Sequence, residues 1–171
     1  NPSPVSTILA KPDGTRCVIN HKSHTPWIES DAVDFTAVKH KCILLDGHEP
    51  LLSLPFAKWA GAQAIPTVLD AGSLRKGTEA LAPQVDYLVA SKRFAFDYCA
   101  TRDPATAVKK LAEIAPNAVI TLGDSGLVWA RGDEQGHLPA FAVKAVDSTG
   151  AGDAFHGAFA LALVRCLPWL D

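Results

Sequence analysis

Methionine is absent from all 171 residues, and the chain opens on NPSPVSTILA. A natural start carries an initiator Met or its processed remnant, so the expectation is a piece of a longer protein. Also missing is a basic segment followed by an apolar run, of the kind that directs secretion. The longest mainly apolar run, residues 154–163, is too short to span a bilayer and contains His156. Neither sign of charge dominates: 16 Lys and Arg face 18 Asp and Glu, scattered along the chain, for a net −2. That argues against a polybasic membrane anchor and a nucleic-acid groove, so neither membrane nor nucleic acid is an expected partner. The four cysteines, Cys17, Cys42, Cys99 and Cys166, form no CxxC pair. In apolar surroundings they read as buried free thiols, which suits a reducing compartment and makes the cytoplasm the expected location. The six histidines show no metal-ligand spacing, so no protein-bound metal is assigned. The four tryptophans are dispersed, as packing residues are, rather than gathered into a stacking platform.

What is present is a globular composition, 48% hydrophobic and 20% charged, enough for a sizeable core in one domain with a small appendage. STILAKPDGTRCVIN (residues 6–20) reads as strand, turn, strand, with Pro-Asp-Gly as the turn. Beyond residue 25 the pattern becomes one of short apolar runs alternating with helical stripes. KCILLD, AIPTVLD, VDYLVAS and NAVITLG are the continuous apolar runs of strands buried on both faces. PLLSLPFAKWAGA has a helical stripe that Pro55 must kink or restart. DPATAVKKLAEIA begins with Asp103 as N-cap and Pro104 at the first helical position. DSGLVWARGDEQGHLPAFAVKAV reads as short antiparallel strands, and a last helix follows that stops at Pro168. The alternation predicts an open, largely parallel sheet with helices on both faces, and ligands bind such sheets beyond the carboxyl ends of the strands.

One motif lies where that rule points. STGAGD sets Gly150 and Gly152 at the entry to the last helix. Glycines let a backbone approach closely, and the free amides and dipole of a helix start favour an anion. The turn lacks the lysine of GxxxxGK[ST] and the spacing of GxGxxG. Asp153 beside it can accept the proton of an attacking hydroxyl during phosphoryl transfer. Alone, it reads more readily as a carboxylate that complements the helix dipole, an effect of about 0.3–1 kcal/mol.

DSTGAGDAFHGAFA, residues 147–160, closely resembles the signature of the PfkB, or ribokinase-like, carbohydrate kinases. The resemblance implies Asp153 as catalytic base, with Gly150, Ala151 and Gly152 as anion hole. VITLGDSGLVW resembles the family's TLGxxG turn, which implies nucleotide contacts at Thr121, Gly123 and Gly126. LLDGHE and TVLDAG resemble the family's strand ends, and Arg75 falls where a basic residue is frequent. The fold implied is ribokinase-like, residues 26–171 forming part of the α/β nucleotide-binding core and residues 1–25 part of a small β lid. ATP and Mg²⁺ are the implied cofactors, a sugar and ATP the partners, and a homodimer through the lid follows from the lid's frequent role in the family.

Two departures stand out. Many members carry NxxE where this chain has SKRF, with Ser91 for Asn and Phe94 for Glu; the Ser-Lys start is similar to the ketohexokinase branch. The family's amino-terminal GG and GxDxxG motifs and its closing helices are also missing, so the chain alone is expected to be inactive. Asp46 and Arg16 are the candidate substrate contacts, each against the plainer reading of a solvated loop or an exposed strand residue. Lys92 and Arg93 stand between a phosphate contact and a solvated helix start. The expected parent is an ATP-dependent sugar kinase. A nucleoside or vitamin-like alcohol kinase and a non-catalytic binding domain that kept the anion cradle are the rivals.

Overall fold

The computed structural model describes residues 4–11, 16–21, 26–145 and 147–169, with the side chain of Arg16 outside that set. Strands β1 (Val5–Ala10) and β2 (Arg16–His21) form a separate antiparallel ribbon. The Pro-Asp-Gly expected to turn it lies outside the described residues. Six further strands build the main sheet in chain order: β3 (Ile43–Leu45), β4 (Thr67–Ala71), β5 (Tyr87–Ser91), β6 (Asn117–Thr121), β7 (Leu127–Arg131) and β8 (Glu134–Leu138). The pairs from β3 to β6 are parallel and the last two antiparallel.

Period-two alternation assigns each strand residue to one of two layers. Leu69, Leu88, Ala90, Ala118, Ile120 and Ala130 face one side and are fully or almost fully buried. Against them pack α1 (Pro50–Ala62), α2 (Lys76–Leu81), α3 (Lys92–Cys99) and α4 (Pro104–Ala112). Val68, Val89, Val119 and Trp129 face the other side. There a single helix, α5 (Ala151–Val164), supplies Phe155, Phe159 and Leu163. Helices therefore cover both faces of a largely parallel sheet, as the alternation predicts, but unequally.

The details correct several sequence expectations. Pro55 lies within one continuous α1, so no new helix starts there; a proline at this point removes the bond to the Leu51 carbonyl and leaves the rest of the ladder. Helix α2, short and containing Gly77, has no sequence expectation behind it. Its entry is held by the Arg75 amide donating to Thr78 Oγ1 at 3.0 Å. Strand pairing beyond β7 ends at Leu138, and residues 139–145 run unpaired and exposed. Helix α5 ends at Val164 rather than at Pro168, because Cys166 turns left-handed (φ 53°) and Leu167 donates back to the Ala162 carbonyl. The thiols are free, but only Cys99 is buried; Cys17 and Cys166 are exposed and Cys42 is half-buried. Among the described residues no helix is long and apolar enough to cross a membrane.

Candidate functional site

Because β3 to β6 are parallel, their carboxyl ends share one edge, and the residues just past them meet there. Asp46 follows β3, Asp70 sits near the end of β4, Ser91 ends β5 and Thr121 ends β6. Two antiparallel steps bring β8 back to run with β6, so it too ends at this edge. Helix α5 starts there and lies on the opposite face, with its amino end toward β3 and β4.

Asp153 occupies the first turn of α5, whose N-cap Gly150 has φ 77°, a conformation that glycine takes without strain. The Asp147 carboxylate accepts from the Thr149 amide at 2.8 Å and shapes the approach. The Ala151 amide closes the turn on the Ser148 carbonyl at 3.2 Å, and the next amides of α5 are those a helix start leaves without an intrahelical acceptor.

In front of this turn lies an open cavity of about 590 Å³. Asp46, Asp70 and Asp153 line it together with His48, Arg75 and Arg93. Val18 and Asn20 of β2 close it from the ribbon. Asp46 accepts from the His48 amide at 2.9 Å, which folds the loop back so that the Arg75 guanidinium donates to the His48 ring at 3.1 Å. Burial raises the Asp70 carboxyl above the ordinary carboxylate value; His156 opposes the rise, and the Asp153 and Asp46 carboxylates add to it. Arg16 begins β2, and its side chain is outside the described residues.

On the other side of the α5 amino end lies an apolar groove of about 360 Å³. Thr121, Gly123, Gly126, Ala151 and Gly152 line it together with Phe141 and Phe155. The candidate base and two of the three anion-hole residues thus join two cavities: a charged one before β3 and β4, and an apolar one before β6 and β7. Among the described residues no group of three or more His, Cys, Asp or Glu is placed to hold a metal ion.

The SKRF stretch has a structural explanation. Ser91 caps α3, accepting from the Phe94 amide at 3.1 Å, and its hydroxyl donates to the Gly72 carbonyl at 2.8 Å. Phe94 is fully buried and stacks on Tyr98. Burying a phenyl ring contributes about 1.5–3 kcal/mol, so the position serves the core rather than an ion. Of the four residues, Arg93 is the one that lines the charged cavity. Sequence reasoning left Asp70 and His156 without a role, since an aspartate at a strand end and a histidine in an apolar helix carry no signal until the fold puts them side by side.

The comparisons agree with this architecture. The model of the family described as "pfkB family carbohydrate kinase" matches residues 7–171. A ribokinase of Lactococcus lactis subsp. lactis is 31% identical over 120 residues, 70% of this chain and 39% of that protein. A deoxyribokinase of Salmonella typhi is 52% identical over 44 residues, 26% of this chain and 14% of its own length. Among solved structures, a putative ribokinase from Agrobacterium tumefaciens superposes with a TM-score of 0.82 at 25% identity, covering 97% of this chain and 56% of that one. An adenosine kinase from Sinorhizobium meliloti shares the fold, with a TM-score of 0.79 at 22% identity over 96% of this chain and 55% of its own. The chain spans little more than half the length of these solved structures and less than half of the matched ribokinase. With the family model matching nearly its whole length, the chain belongs to the pfkB family of carbohydrate kinases.

Proposed function

We propose that the protein is an ATP-dependent kinase that transfers the γ-phosphoryl group to a hydroxyl of a sugar or sugar derivative. The observation that carries this reading is Asp153 at the start of α5, lining one cavity with two other carboxylates and two guanidinium groups. The sugar occupies the charged cavity, and the adenine nucleotide lies in the apolar groove with its phosphates against the first turn of α5. The residues present fit such a nucleotide: the groove has the size and apolar lining for a purine, with open helix amides beside it. Mg²⁺ accompanies the nucleotide and offsets its charge.

Asp153 takes the proton of the attacking hydroxyl, and the turn of Gly150, Ala151 and Gly152 receives the transferring group on the amides that the start of α5 leaves open. Arg75 and Arg93 offset the charge that builds on that group. Thr121, Gly123 and Gly126 shape the nucleotide groove, and Asp46 and Arg16 bind acceptor hydroxyls. Residues 26–171 belong to the nucleotide-binding core, and residues 1–25 to a lid that shields the transfer from water.

In the whole protein, Asp153→Asn is expected to lower kcat by about 10²–10⁴-fold while ATP affinity stays the same. Near-normal turnover would remove Asp153 from the mechanism. Ribose, 2-deoxyribose and adenosine, suggested by the names of these relatives, and fructose, suggested by a fructokinase of Zea mays that is 47% identical over 47 residues, form the first panel. ATP consumption that none of these or other polyols stimulates would favour a non-catalytic binding domain.

A further inference from the structure

His156 is the one buried residue of the 14-residue α5. Its neighbours on the inner face, Phe155, Phe159 and Leu163, are apolar, and an apolar residue in its place would serve packing as well. A buried imidazole is unfavourable unless its nitrogens are bonded. Here Nδ1 meets the Gly152 carbonyl at 2.7 Å and Asp70 Oδ2 at 3.3 Å, while Nε2 faces the Val89 carbonyl at 3.2 Å. The ring therefore ties together three elements of the site edge: the first turn of α5, the end of β4 and the middle of β5.

Two of these ties bear on the chemistry. The Gly152 carbonyl and the Asp153 amide belong to one rigid peptide plane, so drawing the carbonyl toward the imidazole aims that N–H the opposite way, into the cradle. Asp70 lines the charged cavity beside Asp153, with 23% of its side chain exposed and Oδ2 turned to the histidine. That leaves carboxylate lone pairs for a donor in the cavity, and a sugar presents hydroxyl donors.

We propose that His156 is a positioning residue for phosphoryl transfer, and that the Asp70 it holds accepts a hydrogen bond from an acceptor hydroxyl next to the one Asp153 deprotonates. The inference rests on the kinase reading above. A histidine in this place fixes the Asp70 carboxylate and the turn that carries Asp153 to one ring, so the acceptor is gripped relative to the base rather than merely near it.

The test measures ATP-dependent phosphorylation of D-ribose, 2-deoxy-D-ribose and D-fructose by the whole protein and its variants, with sugar and ATP varied separately. His156→Leu is expected to lower kcat about tenfold or more and to leave the KM for ATP within about twofold, since no side chain that lines the groove is removed. Asp70→Asn is expected to raise the sugar KM by about tenfold, the loss of one charge-assisted hydrogen bond. His156→Asn, whose amide nitrogen can stand in for Nδ1 toward Gly152 and Asp70, recovers most of the kcat lost in His156→Leu. Because both residues act through one carboxylate, the double variant His156→Leu/Asp70→Asn falls short of the product of the single effects.

Unchanged constants in His156→Leu, or fully multiplicative effects, would overturn the proposal while the unmodified protein still phosphorylates sugar. Absence of sugar phosphorylation by the unmodified protein would overturn the kinase reading and this inference with it. If His156→Leu does not fold, Asp70→Asn decides: an unchanged sugar KM overturns the assignment.

Discussion

Two opposing demands meet at the carboxyl group of Asp70. Burial and the nearby Asp153 and Asp46 carboxylates disfavour its ionised form, while His156 favours it, and the net direction is upward. A carboxyl whose folded pKa lies above its unfolded value stabilises the fold fully below the unfolded value, near 3.8, and loses that stabilisation as pH rises through the folded one. Asp70→Asn removes this loss. Urea melts should therefore show the variant gaining stability relative to the unmodified protein between about pH 3 and pH 7, with the larger advantage at pH 7. An equal difference at both pH values would show that Asp70 ionises without penalty. A site residue whose removal stabilises the protein is expected where function requires clustered charge. Little of this was legible in the letters. TVLDAG marks a strand end, but which of the other charges stand near Asp70 follows from β3, β4 and α5 meeting at one edge.

At the scale of elements, the turn between β6 and β7 shows how tightly the apolar groove is built. Gly126 has φ 83°, and a methyl group there would stand 2.0 Å from the Leu138 carbonyl oxygen and 2.7 Å from the Ala140 nitrogen. Both obstacles are backbone, so the strand exit itself would have to move. Gly126→Ala is expected to destabilise the protein by about 2–4 kcal/mol, read as a lower urea midpoint, and to weaken ATP binding in the whole protein. A variant as stable as the unmodified protein would mean that the β8 exit is free to shift. The glycine was legible from TLGxxG; its reason was not, because Leu138 lies twelve residues further along the chain. Helix α4 was the opposite case. Asp103 accepts from the Thr106 amide at 2.8 Å, as the local motif predicts, because a cap is made by residues three apart. Helix α2 escaped notice since six residues around a glycine carry too short a pattern.

At the scale of the whole molecule, the β1–β2 ribbon stands apart from the main sheet. Its register puts Ile8, Val18, Ser6 and Asn20 on one face, and Val18 and Asn20 line the charged cavity. The other face carries Val5, Leu9 and Ile19, which are 52–60% exposed. A two-stranded ribbon is marginal by itself, and an apolar outer face matches the homodimer expected of a lid. We infer that this face meets a second copy. Substituting Ile19→Lys in the whole protein is expected to lower the sedimentation coefficient from dimer to monomer; an unchanged coefficient would place any dimer contact elsewhere.

The order of residues was enough to specify an open, largely parallel sheet, its helical layers, the cap of α4 and the glycine turn that opens the last helix, because each is written in contacts a few residues apart or in a hydrophobic period. The exposure of Cys17 and Cys166, the pairing of Asp70 with His156, and the burial of Phe94 in the core required the folded chain. Asp70 and His156 are separated by 86 positions yet lie 3.3 Å apart, and no local pattern encodes that distance. The fold brings them together because parallel strands end on one edge and α5 starts at that edge on the other face.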